Sequence, residues 1–409
     1  MINILNKIAQ IERKDKILFY ISYVLFILAT IVFESTEFRN IEMIGLVRKI
    51  LNVLIYTLLF AKIVFFTKYN KQDITKILII SSCFFISAIL SGDNILFKTT
   101  LFVVGAKNIN LRKLIKVDMA LKIMIVISIV TLSLTGIINN YTEVRDGSEV
   151  LRYSLGFTHP NILASFVMVL ILEWIYLIDR KKKFFEYIVV FLLILIVGKI
   201  TDSRTSSIIM ILSLFLSFIL ASDNIIKKMY LSIKKRIKRE YILENLPIMI
   251  FLFCIIISIF VSANYNPNNK FMFYLNKLIS GRLYLANIFI NKYGFSIIGQ
   301  KVEFISTRMA REQNITAAVL DNAYVNLPLV YGIIPMIIFC IGYIILMKKL
   351  AQEKSYNLLI CILMFIILGL MERNLMNLHY NFTILFLSTI LYSNYSMIRI
   401  NIKQYINLR

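Results

Sequence analysis

Long apolar runs carrying few charges recur along the whole chain, separated by short polar breaks. They fall near residues 17–33, 44–66, 74–90, 94–106, 119–138, 160–178, 184–200, 207–220, 246–263, 322–347, 357–371 and 382–398. Such runs predict helices that cross a membrane, because about 20 apolar residues are needed to span the hydrocarbon core of a bilayer. Strands of a membrane barrel would alternate polar and apolar positions, and these runs do not. The expected fold is therefore all-α: one integral membrane domain over residues 1–409 with about twelve transmembrane helices. The fourth run contains Lys98; were it not to span, every later segment would change sides.

One polar segment breaks the rhythm. Residues 264–321 form the only long polar stretch between apolar runs, and they predict a large external loop. Within it Phe271, Tyr274, Leu275, Leu278, Ile279, Leu285, Ala286 and Phe289 recur at spacings of three and four. That spacing predicts a helix with one apolar stripe, and Arg282 falls on the stripe. An arginine on the apolar side of a helix at a membrane surface needs an anionic partner or a wet groove. The segment reads as a lid over a site at the membrane surface, with Arg282 facing that site.

Composition agrees with this picture: 59% of the 409 residues are hydrophobic, and the mean hydropathy is +0.76. A soluble domain rarely combines these values over such a length. A cleavable signal peptide is not expected, since the first run lacks a small-residue cleavage site and many more spans follow. The formal charge is +23, from 46 basic and 23 acidic residues. Its placement argues against nucleic acid as a partner. With the N-terminus inside, the inner segments hold 29 basic residues and the short outer loops 6: Arg39, Arg145, Arg152, Lys199, Arg204 and Arg373. Lys122 is counted among the inner 29. The split predicts cytoplasmic termini and an extracytoplasmic 264–321 segment. Lys227–Arg239 reads as a solvated face on anionic headgroups. The cysteines Cys83, Cys254, Cys340 and Cys361 all lie within apolar runs and read as small packing residues.

In that topology several polar clusters fall at the outer ends of helices that run inward. Thr158-His159-Pro160-Asn161 opens the sixth span, with Pro160 suited to the first turn. Thr201-Asp202-Ser203-Arg204-Thr205-Ser206 opens the eighth, Asp321-Asn322 the tenth, and Glu372-Arg373-Asn374 through His379-Tyr380-Asn381 leads into the twelfth. Helix N-termini offer free N–H groups and partial positive charge, a natural seat for an anion. With Arg204 and Arg282 added, a diphosphate site becomes the expectation, since guanidinium groups bind phosphate oxygens in pairs. Each residue also has a plainer reading. His159 can be a polar residue at a helix entrance, Arg204 a surface partner of Asp202, and Asp321 a helix cap. Glu372 and Arg373 can pair with each other, and His379 can be interfacial. No glycine-rich phosphate loop or metal-ligand cluster is present, so no metal and no cofactor are expected.

At these residues the chain resembles the superfamily of Wzy-type polymerases and O-antigen ligases, which act on lipid-linked polysaccharide repeats. The likeness covers roughly residues 150–335. Gly156 through Ala164 looks like the family's glycine-x-x-His-Pro-Asn segment, and Ser203-Arg204 like its Ser-Arg motif. Gly281-Arg282 with Ala286 and Gly299 is similar to the Gly-Arg segment of its large external loop. Asp321-Asn322, followed after nine residues by Gly332, is similar to a His-Asn pattern of the ligases. Here Asp321 replaces the ligases' histidine, Tyr284 stands where tryptophan is common, and Pro335 where glycine, threonine or tyrosine is usual. The histidine replacement favours a polymerase.

The resemblance implies a GT-C-like, inverting, metal-independent glycosyltransferase in a bacterial cytoplasmic membrane, working at its outer face on capsular or O-antigen-type polysaccharide. The donor would be a growing glycan on a polyprenyl diphosphate and the acceptor a lipid-linked repeat unit. Asp321 would be the base; Arg204, Arg282, His159, Asn161, Ser203 and Asn322 would bind substrate, with Glu372, Arg373 and Tyr284 as further candidates. Membrane lipids and other polysaccharide-export or chain-length proteins are the expected partners. A ligase using the same donor, a lipid-oligosaccharide flippase or other transporter, and a non-catalytic export scaffold remain open at this stage.

Overall fold

The computed structural model describes residues 2–144, 149–178, 184–221, 240–305, 309–310, 313–315 and 317–392. Arg145, Arg308, Arg311, the basic stretches 180–183 and 227–239, and the basic residues from 399 onward lie outside these. The described chain is almost wholly helical. In order come α1 (Ile2–Glu34), α2 (Glu42–Ala61), α3 (Lys71–Ser91), α4 (Ile95–Gly105) and α5 (Leu111–Leu134). A hairpin of β1 (Thr142–Val144) and β2 (Leu151–Tyr153) leads to α6 (Pro160–Leu177), α7 (Phe184–Thr201) and α8 (Arg204–Ala221). The rest comprises α9 (Glu240–Ala263), α10 (Lys270–Leu278), α11 (Arg282–Tyr293), α12 (Ala323–Asn326), α13 (Ile333–Gln352), α14 (Tyr356–Leu368) and α15 (Ser388–Leu391).

Eight helices among the described residues are long and apolar enough to cross a membrane, and four further apolar helices are shorter. Their outer faces carry Met43, Leu46, Ile50 and Val53 on α2, Leu78 and Ile79 on α3, and Leu192 and Ile196 on α7, all exposed. Apolar surface this continuous belongs against lipid rather than water. The chain is a helical membrane protein. All four cysteines are free, and Cys254 and Cys361 are buried.

Two compact units are built from discontinuous pieces of chain. The first takes Met1–Tyr69, Leu101–Arg236 and Leu378–Ser388; the second takes Asn70–Thr100, Ile237–Asn377 and Thr389–Arg409. In the first unit α1 packs on α2 and α5, and α6 packs on α5, α7 and α8. Phe166, Met168 and Leu172 of α6 are wholly buried, so this helix forms the unit's core. In the second unit α9 holds α11, α12, α13 and α14.

Three predicted elements differ from the observed ones. The single amphipathic helix expected over 271–289 is two helices. Its spacing of three and four continues across the break, but Gly281 sits at φ +80 and Ser280 at φ +58, a left-handed corner that stops α10. The N–H of Gly281 closes it by donating to the carbonyl of Asn276 at 2.8 Å. Arg282 is therefore the first residue of α11, not a member of a continuous stripe.

The tenth run, expected as one helix over 322–347, is broken by a π-helical turn (Leu327–Tyr331) and by Gly332 at φ +107. There the segment after α11 comes in against the helix backbone. The N–H groups of Ser296 and Gln300 donate to the carbonyls of Pro328 and Val330, and those of Ile333 and Ile334 donate to Ser296 and Ile297. A Cβ at Gly332 would lie 2.5 Å from the carbonyl carbon of Ile298, so only glycine permits this approach. The third difference concerns the fifth run. It starts at Leu111 rather than 119, which moves Lys122 from a loop end to the middle of α5.

Candidate functional site

In the second unit the start of α11, the residue before the cap of α12 and the turn after α14 meet through charge. The Nε of Arg282 donates to Oδ2 of Asp321 at 3.1 Å, and its Nη2 donates to Oε1 of Glu372 at 2.9 Å. The three residues stand 39 and 90 positions apart in pairs, yet one guanidinium joins them. The Asp321 side chain remains 30% exposed, more than Arg282 at 17% or Glu372 at 18%. Asp321 is thus the most open of the three, while the arginine is largely enclosed.

The cap assigned to Asp321 belongs to its neighbour. Asn322 Oδ1 accepts from the N–H groups of Tyr324 and Val325 and also from the hydroxyl of Ser258 at 2.7 Å. With the helix start satisfied by Asn322, the Asp321 carboxylate is released toward Arg282. Nor is the direct partner of Glu372 its neighbour Arg373. Glu372 turns to Arg282, and the Arg373 guanidinium lies 5.7 Å from the ring centre of Phe304. Tyr284 is exposed beside Tyr265.

Electrostatics at this cluster follow from two carboxylates and one arginine. Burial disfavours charge on Arg282, but attraction from Glu372 and Asp321 outweighs it and holds the guanidinium pKa above its ordinary value. Burial, and then repulsion from Asp321, push Glu372 up to about 7 against the pull of Arg282 and Arg373. Folding therefore keeps a proton on Glu372 that the unfolded chain releases near ~4.3. The associated stability is full below that range and is lost as pH rises through about 7. Thermal melts of purified protein are expected to show this decline between about pH 5 and about pH 8, and Glu372→Gln is expected to flatten it. Parallel profiles for the two proteins would mean that Glu372 titrates as an ordinary carboxyl.

In the first unit, His159 and Asn161 sit around a different arginine, Arg152. Pro160 does occupy the first turn of α6, and His159 is its cap, Nδ1 accepting from the N–H of Asn161 at 3.0 Å. The hairpin pairs Glu143 opposite Arg152, and both are buried. Arg152 donates from Nη1 to Glu143 at 2.6 Å and from Nε to the carbonyl of Thr201 at 2.8 Å. Its Nη2 donates to Oδ1 of Asn161. His159 Nε2 lies 3.1 Å from the same Glu143 oxygen. Ser203 is buried beside Ser206, whereas Arg204 is exposed at the start of α8.

Arg152 and Glu143 were missed by sequence reasoning, which placed Arg152 only as an outer-loop charge. Their signal was there: a two-strand alternation, Thr-Glu-Val and Leu-Arg-Tyr, with the charged residue at each centre. Among the described residues no group of three or more His, Cys, Asp or Glu side chains could hold a metal ion.

No family model matches the chain, and neither the curated proteins nor the solved structures yield a match. The functional reading therefore rests on the residues themselves.

Proposed function

We propose that this protein is a glycosyltransferase that lengthens a polysaccharide by joining repeat units carried on a polyprenyl diphosphate. In this reading residues 264–321 form an extracytoplasmic loop and both termini are cytoplasmic. One observation carries it: Arg282 bridges Asp321 and Glu372. Two of these residues come from sequence segments that resemble separate motifs of one transferase superfamily, and they make direct contact.

The chemistry asked of the cluster is general-base removal of a proton from the acceptor hydroxyl, with cationic support for the departing diphosphate. Asp321, exposed on one side and held on the other by Nε of Arg282, is the base. Arg282 positions it. With both carboxylates ionised the cluster carries one net negative charge, which repels a diphosphate. Protonation of Glu372 removes that charge and frees the Nη2 edge of Arg282 for a phosphate oxygen. Arg204, exposed at the first turn of α8 in the first unit, is a separate substrate-binding candidate by the resemblance. Incubating the purified protein with a lipid-linked repeat unit should give a ladder of products. A single transfer would indicate a ligase, and absence of any transfer would overturn the proposal.

The orientation has its own test. In a background with the four native cysteines replaced, cysteines at Asn268 and Asn374 are expected to react with a membrane-impermeant thiol reagent in whole cells. Cysteines at Lys182 and Lys234 are expected to react only after lysis. Labelling at Lys234 but not Asn268 would place the loop in the cytoplasm.

A second reading, transport of a lipid-linked oligosaccharide, draws on a separate observation. Asp118, Lys122 and Glu173 lie inside α5 and α6, where charged side chains mark pathways in many transporters. Scrambling of a labelled lipid-oligosaccharide across vesicles, without any ladder, is the result that would favour it.

A further inference from the structure

A buried ionic cluster within the first unit takes no part in the proposed transfer chemistry. Lys122, midway along α5, donates to Oδ2 of Asp118 at 2.9 Å and to Oε1 of Glu173 on α6 at 2.6 Å. The hydroxyl of Tyr23 on α1 donates to the same Asp118 oxygen at 2.8 Å. All four side chains are wholly buried, at 0% exposure. Both α5 and α6 are among the helices able to cross a membrane. Among the described residues a further titratable group near the cluster, His379, comes from the loop after residue 376. His379 packs against the rings of Phe26 and Phe166, and Tyr380 stacks on Phe166.

Counting charges exposes a deficit. Two carboxylates and one ammonium leave a net negative charge enclosed away from bulk solvent, which is costly in such a setting. The hydrogen-bond inventory shows the same deficit independently. Oδ1 of Asp118 and Oε2 of Glu173 are fully enclosed and meet no donor among the described residues. Because both carboxylates bond to one Nζ, their groups cannot lie farther apart than those two bonds allow. A single hydrogen between them would remove the excess charge and reduce the count of orphaned oxygens.

We propose that Asp118 and Glu173 share one bound proton, making this cluster an intramembrane proton site. A sodium ion would need several more oxygen ligands. Here α5 and α6 run as unbroken helices, so their carbonyls are committed to the helix ladder. Like carboxylates at close range do not ionise independently, and the proton belongs to the pair rather than to either residue. The inference does not depend on the transferase reading.

Infrared spectroscopy of the purified full-length protein tests it. At neutral pH a carbonyl-stretch band of a protonated carboxylic acid is expected above the amide band, moving down in D2O. Glu372→Gln removes the other carboxyl that holds a proton near neutrality, and the band should survive it. Glu173→Gln added to Glu372→Gln should abolish the band that remains while leaving the melting temperature close to that of Glu372→Gln alone, because the amide can donate toward Asp118. Should that variant fail to fold, the parent and Glu372→Gln spectra decide by themselves. A band absent from the parent, or lost entirely with Glu372→Gln, overturns the proposal. So does stabilisation by sodium chloride over choline chloride with no acid band, which would assign the site to a metal cation.

Discussion

Arg282→Lys is expected to cut polymer formation on the order of 10²-fold or more, the scale seen when a single preorganised donor is lost from a reacting centre. The guanidinium contacts two carboxylates at once through different nitrogens, Nε to Asp321 and Nη2 to Glu372. Lysine brings one nitrogen on a flexible stem and lacks the planar fork that fixes both partners. Either Asp321 loses its orientation or Glu372 is left enclosed without its cation. Some loss of thermal stability should accompany the loss of activity, because Glu372 is largely buried.

Arg204→Lys provides the contrast. Exposed at the start of α8, Arg204 has little structural work to do, so its lysine variant is expected to lose activity with an unchanged melting temperature. Product ladders of normal yield from both lysine variants would remove the arginines from the diphosphate role.

How much of this was legible in the sequence follows from which forces act locally. The apolar runs marked the helices well, since burial in lipid demands long uninterrupted apolar segments. Pro160 at the head of α6 was equally readable, being a property of two adjacent residues. What periodicity could not show was where a helix breaks while its apolar spacing continues. The corner at Ser280–Gly281 and the break at Gly332 depend on backbone angles and on the approach of a distant strand of chain. Gly281 was noted for a motif, not for the left-handed turn it supplies.

The ion pairs were the least readable. Arg282 meets Glu372 across 90 residues, and no local rule connects them. Asp321 looked like a cap because it precedes a helix; the adjacent Asn322, chemically as suitable, took that place. Lys122 counts as an inner charge when the fifth run begins at 119, but the helix begins at Leu111 and buries it midway, and Glu173 lies within an apolar run. A glutamate inside a membrane helix is itself a signal, and its partner one helix away was the missing half.

Asp321→Asn is where base and scaffold roles separate. Since Asn322 already caps α12, the substitution cannot act through the helix start. It does weaken one contact of Arg282, but the contact to Glu372 persists. The Asp321 side chain is partly open to solvent, so the stability cost should be no more than about 1 kcal/mol. The catalytic cost is expected to be far larger, because an amide cannot accept the acceptor hydroxyl's proton. Loss of a general base typically removes on the order of 10² to 10⁴ in rate. The variant should therefore fold, bind a lipid-linked substrate and form little polymer. Asp321→His restores a group able to take a proton and should recover part of the lost rate if the ring reaches the same position. Glu372→Gln distinguishes the two carboxyls. It is expected to shift the pH dependence of the reaction while retaining turnover, because its role is to set the charge around Arg282. Product formation by equal amounts of the parent and these three variants is the decisive comparison. An Asp321→Asn protein with full activity would leave Asp321 only as a partner for Arg282 and would move the search for the base to Glu372.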